Sequence, residues 1–214
     1  MNPALSKRKS GMKIAVVDYG ASNLQSVANA LTSLGQKFEV VSDPKKLADF
    51  DKVIVPGVGA AGSAMKKLRE SGFADVLPTL KVPVLGLCLG MQMLAEFSEE
   101  DATKCLSVLS GKVRRFVTEL KVPHMGWNTV QFTPPAAGLV RDSKLTEGVP
   151  DGSFFYFVHS YYLPVDPQYT IGISTYEVDI TAIVQYKNFY GTQFHPEKSG
   201  QWGMKILDNF CKLC

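Results

Sequence analysis

The first hundred residues alternate short, mostly apolar segments with segments whose apolar residues recur at helical spacing. The apolar segments have the length of buried strands and lie at residues 13–19, 38–41, 52–55 and 83–87. Helical spacing runs from Leu24 to Leu34, and Gly35 follows at the position that commonly ends a helix. Strands that are apolar along their whole length are typical of parallel sheets, because helices cover both faces of such sheets. This half of the chain therefore predicts an α/β fold with a central, mostly parallel sheet flanked by helices.

The second half of the chain carries shorter strand candidates that are richer in aromatic residues and separated by turns. These candidates lie at residues 113–117, 129–132, 154–158, 170–175, 182–186 and 190–194, and a last helix is predicted over 201–210. We expect one domain over residues 12–214 with a β-rich second half, preceded by a flexible extension at residues 1–11. The proline-containing segment 134–138 is interpreted as a loop within that domain.

Length and charge exclude several classes of protein. A chain of 214 residues fits one sizeable domain, and a net charge of +3, with its only basic run at residues 7–9, argues against a nucleic-acid partner. An apolar stretch at residues 82–93 contains Pro83 and is shorter than the ~18 residues of a membrane span. We therefore predict a cytoplasmic protein that binds neither nucleic acid nor membrane. In that compartment the four cysteines are interpreted as free, metal-bound or catalytic before they are interpreted as disulfides.

The segment Gly86-Leu87-Cys88-Leu89-Gly90 lies where a buried strand gives way to a helical pattern. It has the form of the G-x-S-x-G nucleophile elbow, with sulfur in place of oxygen. A cysteine at a helix N-terminus is favoured as a thiolate, and the N–H of the next residue, Leu89, is positioned to face an oxyanion. The alternative is a small buried cysteine in an apolar strand, and the pentapeptide alone does not decide between the two.

The segment His195-Pro196-Glu197 follows the last strand candidate. Residues two apart in an extended segment project to the same side, and Pro196 favours an extended conformation for His195. A carboxylate beside an imidazole fixes its tautomer and stabilises the imidazolium, which is the third role in a Cys–His–acid triad. An isolated His-Pro-Glu is more commonly a surface histidine near a salt-bridging glutamate, but here an elbow cysteine lies upstream. We therefore predict a triad of Cys88, His195 and Glu197.

Residues 57–62 match the G-x-G-x-x-G pattern of dinucleotide-binding loops. That function needs an acidic residue about 20 positions further on, where this chain has Leu-Pro-Thr-Leu at 77–80, and Pro56 interrupts the strand. We therefore reject nucleotide binding. A glycine loop at the carboxyl end of a strand can instead donate a backbone N–H to an oxyanion, with a plain tight turn as the alternative. The predicted oxyanion hole consists of Gly57, Val58, Gly59 and Leu89.

Together these segments resemble the class I glutamine amidotransferases, in which a Gly-x-Cys-x-Gly segment precedes a distant His-Pro-Glu. More narrowly, the chain resembles the glutaminase subunits of imidazole glycerol phosphate synthase, over residues 13–210. The triad segments are common to the whole class. The narrower resemblance depends on Pro56-Gly57-Val58-Gly59 and on Pro123-His124-Met125-Gly126-Trp127-Asn128, with further shared segments at residues 157–161 and 191–199.

The resemblance implies a single class I glutamine amidotransferase domain and a definite chemistry. Cys88 would attack the carboxamide of glutamine to give a thioester and ammonia, while His195 moves the protons and Glu197 orients it. Neither a cofactor nor a metal is expected. The residues implied to bind glutamine are Gln92, Ser160 and Tyr161.

The resemblance also implies a partner, a separate cyclase subunit that forms a heterodimer with this chain. That subunit would use the ammonia to make imidazole glycerol phosphate and an aminoimidazole carboxamide ribonucleotide in histidine biosynthesis. The loop at residues 57–59 would complete the oxyanion hole only when the partner holds its substrate. Trp127 and Asn128 are implied to lie at the interface or near the ammonia route, although residue chemistry alone fits an ordinary aromatic anchor on a β-hairpin equally well.

Three other interpretations of the sequence compete with this one. A zinc deaminase would use His195 and Glu197 with Cys211 and Cys214, but Phe210 stands where its signature has proline. A non-catalytic binding subunit with the same fold would be expected to lack part of the triad. A glutaminase that supplies ammonia to another acceptor enzyme, such as one that modifies surface sugars, keeps all the chemistry and changes only the partner.

Overall fold

The computed structural model describes residues 12–20, 23–133 and 143–214, so the predicted extension at 1–11 and loop at 134–138 lie outside the described residues. None of the helices in the described part combines the length and the apolar composition needed to cross a membrane. The α-helices are α1 (Leu24–Ser33), α2 (Ala61–Glu70), α3 (Phe73–Val76), α4 (Leu89–Gln92) and α5 (Gly200–Leu213). Short 3-10 helices span Pro44–Asp49, Leu77–Thr79, Glu100–Ala102, Lys144–Thr146 and Pro196–Lys198.

Nine strands form one large sheet in the order β2-β1-β3-β4-β13-β12-β11-β8-β9, and four short strands form a second sheet in the order β10-β7-β5-β6. The strands from the first half of the chain are β1 (Ile14–Val17), β2 (Phe38–Val41), β3 (Lys52–Val55), β4 (Val84–Leu87), β5 (Phe97–Ser98) and β6 (Thr103–Lys104). Those from the second half are β7 (Lys112–Arg115), β8 (His124–Phe132), β9 (Ser153–His159), β10 (Tyr161–Tyr162), β11 (Thr170–Tyr176), β12 (Val178–Tyr186) and β13 (Phe189–Thr192).

The large sheet has a parallel half and an antiparallel half, which meet at β13. Strands β2, β1, β3, β4 and β13 run parallel to one another, while β12, β11, β8 and β9 continue the sheet from β13 with antiparallel pairing. Every residue of β1, β3, β4 and β13 is buried, including the polar residues Lys52 of β3 and Thr192 of β13. The helices α1, α2 and α3 lie between the parallel strands in the sequence, which agrees with the α/β fold class expected from the sequence.

Helices cover both faces of the parallel half. Alternate residues of β1 face opposite sides, so that Ala15 and Val17 belong to one core cluster while Ile14 and Val16 belong to the other. The first cluster also contains the buried faces of α2 and α3, and the second contains those of α1 and α5. The sheet therefore has a core on each side, which holds its central strands rigidly.

Several elements differ from the sequence-based expectation. The sequence did not predict α3, β5, β6 or β10, and β12 begins at Val178 rather than at residue 182. Two further differences concern β8 and the helix after Cys88. Strand β8 begins at His124 rather than near residue 129, because its first residues pair with β9 up to His159. The helix after Cys88 is a single turn, although apolar spacing continues to Ala95. It ends because the carbonyls of Met93, Leu94 and Ala95 accept hydrogen bonds from the backbone at residues 106–109 instead of from a next helical turn.

Candidate active site

The candidate active site lies where β4 and β13 end side by side. The two strands are parallel neighbours, and Leu87, the last residue of β4, pairs with Thr192, the last residue of β13. Cys88 follows β4 directly, and His195 follows β13 by three residues. Because the carboxyl ends of parallel strands meet at the same edge of a sheet, two residues 107 positions apart come together.

Cys88 occupies a strained turn between β4 and α4. Its backbone angles are φ 51° and ψ −108°, a conformation that is rare for a residue with a side chain and that is held by the surrounding structure. Its N–H donates to the carbonyl of Thr192 at 2.7 Å. A Cβ on Gly90 would lie 2.0 Å from the carbonyl oxygen of Val55, and one on Gly86 would lie 2.6 Å from the backbone of Gly90. Both glycines of the elbow are therefore required by backbone packing.

His195 and Glu197 form a buried pair behind the cleft. Nδ1 of His195 lies 2.9 Å from Oε1 of Glu197, and both side chains are almost fully buried. The backbone N–H of His195 donates to the carbonyl of Tyr156 at 2.9 Å, and the carbonyl of His195 accepts from the hydroxyl of Ser199 at 2.6 Å. These two bonds fix the backbone from which the imidazole projects. The extended backbone of His195 is the one expected before proline.

The ionisation of His195 follows from its two neighbours. Burial alone would lower the pKa of His195, but hydrogen bonds to Cys88 and Glu197, and the negative charges of both groups, raise that pKa to about 10. A positively charged imidazole beside the sulfur favours the ionised nucleophile. The second carboxylate oxygen of Glu197, Oε2, is buried without a hydrogen-bond partner among the described residues, so the carboxylate interacts chiefly with His195.

A cleft of about 350 Å³ opens above the sulfur. It brings together Cys88, His195 and all the residues predicted for the oxyanion hole and for glutamine binding. Glu197 lies behind His195 rather than in the cleft wall, and neither Trp127 nor Asn128 lines the cleft. The lining residues are Gly57, Val58, Gly59, Cys88, Leu89, Gln92, Glu100, Pro123, Val158, His159, Ser160, Tyr161 and His195.

Two backbone segments in the cleft can donate to an oxyanion. Leu89 is the first residue of α4, so its N–H has no acceptor within the helix. Because α4 is a single turn, it contributes these unpaired N–H groups rather than the dipole of a long helix. The facing loop contains Gly59, whose φ of 90° suits glycine, and Gly57, where a Cβ would lie 2.5 Å from the backbone nitrogen of Gly90.

Sequence reasoning missed several residues that line the cleft or approach the sulfur. Glu100, from the irregular segment after α4, accepts a hydrogen bond from the N–H of Ala61 at 2.7 Å. Burial raises the pKa of the Glu100 carboxyl, partly offset by that hydrogen bond. Gln193 contacts Cys88 directly, with 3.7 Å between its Nε2 and Sγ. No local pattern marks Glu100, whereas Gln193 lies two residues before His195, on the strand predicted over 190–194.

Two buried histidines are linked beside the cleft, where His159 lines the wall and His124 does not. Nδ1 of His124 is 3.0 Å from Nε2 of His159, whose Nδ1 is 2.8 Å from the carbonyl of Tyr161. Burial lowers the pKa of His124 to about 4 and that of His159 to about 3, so both rings are neutral near pH 7. Asn128 approaches His124 at 3.4 Å and donates to the carbonyl of Thr175 at 2.9 Å. Asn128 therefore belongs to this inner network, whereas the neighbouring Trp127 is exposed.

The cysteines of the rival zinc site lie elsewhere in the molecule. Cys211 and Cys214 lie at the end of α5, where burial raises the pKa values of their thiols to about 12 and about 11, partly offset by the positive charge of Lys52. All four cysteines are free thiols. Within residues 12–20, 23–133 and 143–214, no group of three or more His, Cys, Asp or Glu side chains has an arrangement that could hold a metal ion.

Comparison with known proteins identifies relatives of this chain over nearly its whole length. The family model described as Glutamine amidotransferase class-I matches residues 15–214. The imidazole glycerol phosphate synthase subunit HisH of Archaeoglobus fulgidus is 44% identical over 202 residues, which cover 94% of this chain and 98% of that protein. The HisH subunit of Bacteroides thetaiotaomicron is 45% identical over 205 residues, covering 94% and 100% of the two chains.

Solved structures share the fold at lower sequence identity. The structure of a putative GMP synthase subunit from Thermoplasma acidophilum superposes with a TM-score of 0.69 at 22% identity, covering 95% of this chain and 94% of that one. The PurLQS structure from Thermotoga maritima matches with a TM-score of 0.69 at 18% identity, covering 94% and 98%. These likenesses confirm the predicted fold class. With the family match and the HisH relatives, they lead to one conclusion: the chain belongs to the class-I glutamine amidotransferase family.

Proposed function

We propose that this chain hydrolyses glutamine to glutamate and ammonia in the cytoplasm and passes the ammonia to a separate cyclase subunit, which makes imidazole glycerol phosphate and an aminoimidazole carboxamide ribonucleotide in histidine biosynthesis. The observation that carries this proposal is the strained Cys88 in the same cleft as His195, which is hydrogen-bonded to Glu197 at 2.9 Å. The identity of 44% to 45% with HisH subunits supports the assignment of the pathway and the partner.

The first half of the reaction forms a thioester. The ionised sulfur of Cys88 attacks the carboxamide carbon of glutamine, and the carbonyl oxygen becomes an oxyanion near the N–H of Leu89 and the loop at residues 57–59. The carbon–nitrogen bond then breaks as the imidazolium of His195 gives its proton to the leaving nitrogen. Ammonia departs, and the glutamyl group remains on the sulfur.

The second half of the reaction releases glutamate. Neutral His195 removes a proton from a water molecule, which attacks the thioester carbon, and the carbon–sulfur bond breaks to regenerate the ionised sulfur and the imidazolium. Glu197 accepts the hydrogen bond from Nδ1 of His195 in both halves, which leaves the other ring nitrogen to serve the sulfur and the substrate. Gln92, Ser160 and Tyr161 line the same cleft and are proposed to bind the amino-acid part of glutamine.

An exposed apolar face on the antiparallel half supports docking of the cyclase subunit. Met125, Trp127 and Phe154 are 58%, 56% and 57% exposed, which is unusual for side chains of this size. The pairing of Trp127 with Tyr156 and of Thr129 with Phe154 puts these side chains on one face of β8 and β9. Aromatic residues and methionine are enriched in protein interfaces. The proposed docking face therefore consists of Met125, Trp127 and Phe154.

The proposal is tested by measuring glutamate release from glutamine by this chain alone, and then with a cyclase subunit and its ribonucleotide ligand. We expect slow release by the chain alone and strong stimulation by the liganded cyclase. Labelling of Cys88 by an electrophilic glutamine analogue without any stimulation would retain the glutaminase and reject the cyclase as its partner. Absence of both labelling and release would reject the glutaminase itself.

A further inference from the structure

The side chain of Gln193 lies against the sulfur of Cys88. Gln193 follows β13 directly and is completely buried, and its backbone N–H donates to the carbonyl of Ala182 at 2.8 Å. Its amide nitrogen Nε2 is 3.7 Å from Sγ, which is hydrogen-bond distance for a sulfur acceptor. The sulfur has a second polar neighbour, the carbonyl oxygen of Val158 at 3.8 Å, to which a protonated thiol can donate.

The direction of the Gln193 amide is determined by a second buried glutamine. Nε2 of Gln92 is 2.8 Å from the carbonyl oxygen of Tyr161 and 2.9 Å from Oε1 of Gln193. A backbone carbonyl can only accept, so the group of Gln92 that faces Tyr161 must be its N–H donor. The same nitrogen then donates to Oε1 of Gln193, and the N–H groups of Gln193 are left to face the sulfur.

This order of donors and acceptors suits an ionised sulfur better than a protonated one. A hydrogen bond to an ionised acceptor is roughly twice as strong as one between neutral groups. The protonated thiol needs only an acceptor, which the Val158 carbonyl already provides. The Gln193 amide therefore stabilises the sulfur selectively in the state that attacks the substrate and in the state that leaves the thioester.

We propose that Gln193 is a further catalytic residue of the proposed glutaminase site, donating an N–H to the ionised sulfur of Cys88, and that Gln92 and the Tyr161 carbonyl are the positioning groups that set the direction of its amide. The proposal rests on the proposed function for its catalytic meaning. Its physical content, a hydrogen bond that favours the ionised sulfur, is measurable without glutamine.

Other ionisable groups also face the sulfur and must stay unchanged in the test. His195 lines the cleft and is positively charged, and Glu197 acts on the sulfur through it. Tyr19, whose hydroxyl donates to the carbonyl of Pro56, is a further neighbour, and burial, with a smaller contribution from the negative charge of Cys88, raises the pKa of that hydroxyl above the ordinary range. The remaining ionisable side chains that line the cleft are Glu100, His159 and Tyr161.

The test measures the rate at which iodoacetamide alkylates Cys88 in the full chain, without glutamine, from about pH 5 to about pH 10. Mass spectrometry of the Cys88 peptide separates this reaction from that of Cys105, Cys211 and Cys214, whose thiols have pKa values raised by burial to about 11, about 12 and about 11. For Gln193→Met, which keeps the volume and removes the donor, we expect the midpoint of the pH profile to move upward by about one unit. We also expect about a tenfold loss in the rate of glutamine hydrolysis with the partner.

A second variant tests the direction of the amide. In Gln92→Glu, the carboxylate can only accept, so it takes an N–H from Gln193 and turns Oε1 of Gln193 toward the sulfur. The midpoint should again move upward. Introducing Gln92→Glu into Gln193→Met separates this effect from simple charge repulsion, because the additional shift disappears only if Gln92 acts through Gln193.

Gln185→Met on β12 is the matched control, because Gln185 has no side-chain hydrogen bond to Cys88 or Gln193 in the described part of the chain. The midpoint of Cys88 alkylation in this variant should equal that of the wild type. Unchanged midpoints in both Gln193→Met and Gln92→Glu would overturn the proposal, even if glutamine hydrolysis is fully active. If Gln193→Met does not fold, as judged by circular dichroism, Gln92→Glu alone decides. A shifted midpoint in a chain that hydrolyses no glutamine would retain the hydrogen bond and reject the proposed function instead.

Discussion

The parallel and antiparallel halves of the large sheet differ in how their strands are buried. In the parallel half every position of β1, β3, β4 and β13 is buried, and exposed residues occur only on the edge strand β2, whereas β8 and β9 mix buried, half-buried and exposed residues. The candidate nucleophile and base follow two strands of the parallel half, and the proposed docking face lies at the antiparallel edge. Precise positioning of a strained residue needs packing on all sides, whereas recognition of a partner needs an apolar surface that stays open.

The two halves meet behind the cleft. The carbonyl of Tyr161 accepts hydrogen bonds from Gln92, which follows the parallel strand β4, and from His159, which ends the antiparallel strand β9. His159 in turn contacts His124, the first residue of β8. A continuous hydrogen-bonded network therefore joins the candidate nucleophile to the strand that carries Trp127.

The largest expected effect tests whether chemistry and docking are separate properties of the two halves. Cys88→Ala removes the sulfur, so glutamine hydrolysis with the partner should fall by at least about 10⁴-fold. Binding of the cyclase subunit, measured by calorimetry, should stay within a factor of about three, because the Cys88 side chain is buried and is not part of the docking face. Retained hydrolysis in this variant would exclude Cys88 as the nucleophile.

The next effect concerns backbone crowding in the parallel half. In Gly90→Ala the new Cβ would lie 2.0 Å from the carbonyl oxygen of Val55, so the strand or the elbow must shift. We expect the free energy of unfolding, measured with urea, to fall by about 3 kcal/mol, and hydrolysis to be lost with it.

Gly152→Ala, just before β9, is the matched control in the antiparallel half. Gly152 has a φ of 73°, but a Cβ there meets nothing within 4 Å, so only backbone strain remains. The expected cost is about 1 kcal/mol with nearly unchanged hydrolysis. Equal losses in the free energy of unfolding for Gly90→Ala and Gly152→Ala would mean that the backbone is not packed more tightly in the parallel half than in the antiparallel half.

The same difference in burial explains how much of the fold the sequence could predict. Apolar runs located β3 at its observed limits and β1 and β4 to within two residues, because a strand buried on both faces is mostly apolar, with Lys52 of β3 as the polar exception. In β8, the apolar residues Met125 and Trp127 are exposed while the polar residue His124 is buried. The hydrophobicity of these residues therefore does not indicate which of them are buried, and the sequence-based prediction missed the first five residues of β8.

The candidate site could be predicted only in part, for a related reason. The residues around Cys88 and His195 are local motifs whose glycines and proline impose a backbone conformation that can be recognised from sequence. Glu100 reaches the cleft through a long-range contact with Ala61, and the role of Gln193 depends on Gln92, 101 positions away. Contacts between such distant residues leave no local signal, and the assigned roles of the site residues stay predictions until the variants are measured.

A smaller effect is expected from the docking face of the antiparallel half. Trp127→Ala removes a side chain that is 56% exposed, so the free energy of unfolding should change by less than about 1 kcal/mol. Binding of the cyclase subunit should weaken by roughly 30-fold, in the range of a buried aromatic anchor. Val40→Ala on β2, at the opposite edge of the sheet and 44% exposed, should leave that affinity unchanged. Unchanged affinity in Trp127→Ala would move the partner to another surface.

The smallest effect is the pH dependence of stability, and its sign differs between the two halves. The pKa of His195 is raised to about 10, so the stability it contributes is complete below about pH 6.5 and is lost as the pH rises toward about 10. The pKa values of His124 and His159 are lowered by burial to about 4 and about 3, so the unfolded chain binds protons there that the folded chain does not. Their effect is a loss of stability as the pH falls below about 6.5.

His159→Gln isolates the contribution that His159, in the antiparallel half, makes to the pH dependence of the free energy of unfolding. Between about pH 7 and pH 5 the free energy of unfolding should fall less in this variant than in the wild type, by about 1 to 2 kcal/mol. Urea unfolding at several pH values measures the difference, and His195→Gln is the matched comparison, whose effect on the slope should be greatest above about pH 6.5. Parallel stability curves for wild type and His159→Gln below pH 6.5 would mean that the buried histidine pair takes up a proton without opening the structure. In that case the network behind the cleft, rather than the unfolded chain, would be the part of the molecule that responds to acid.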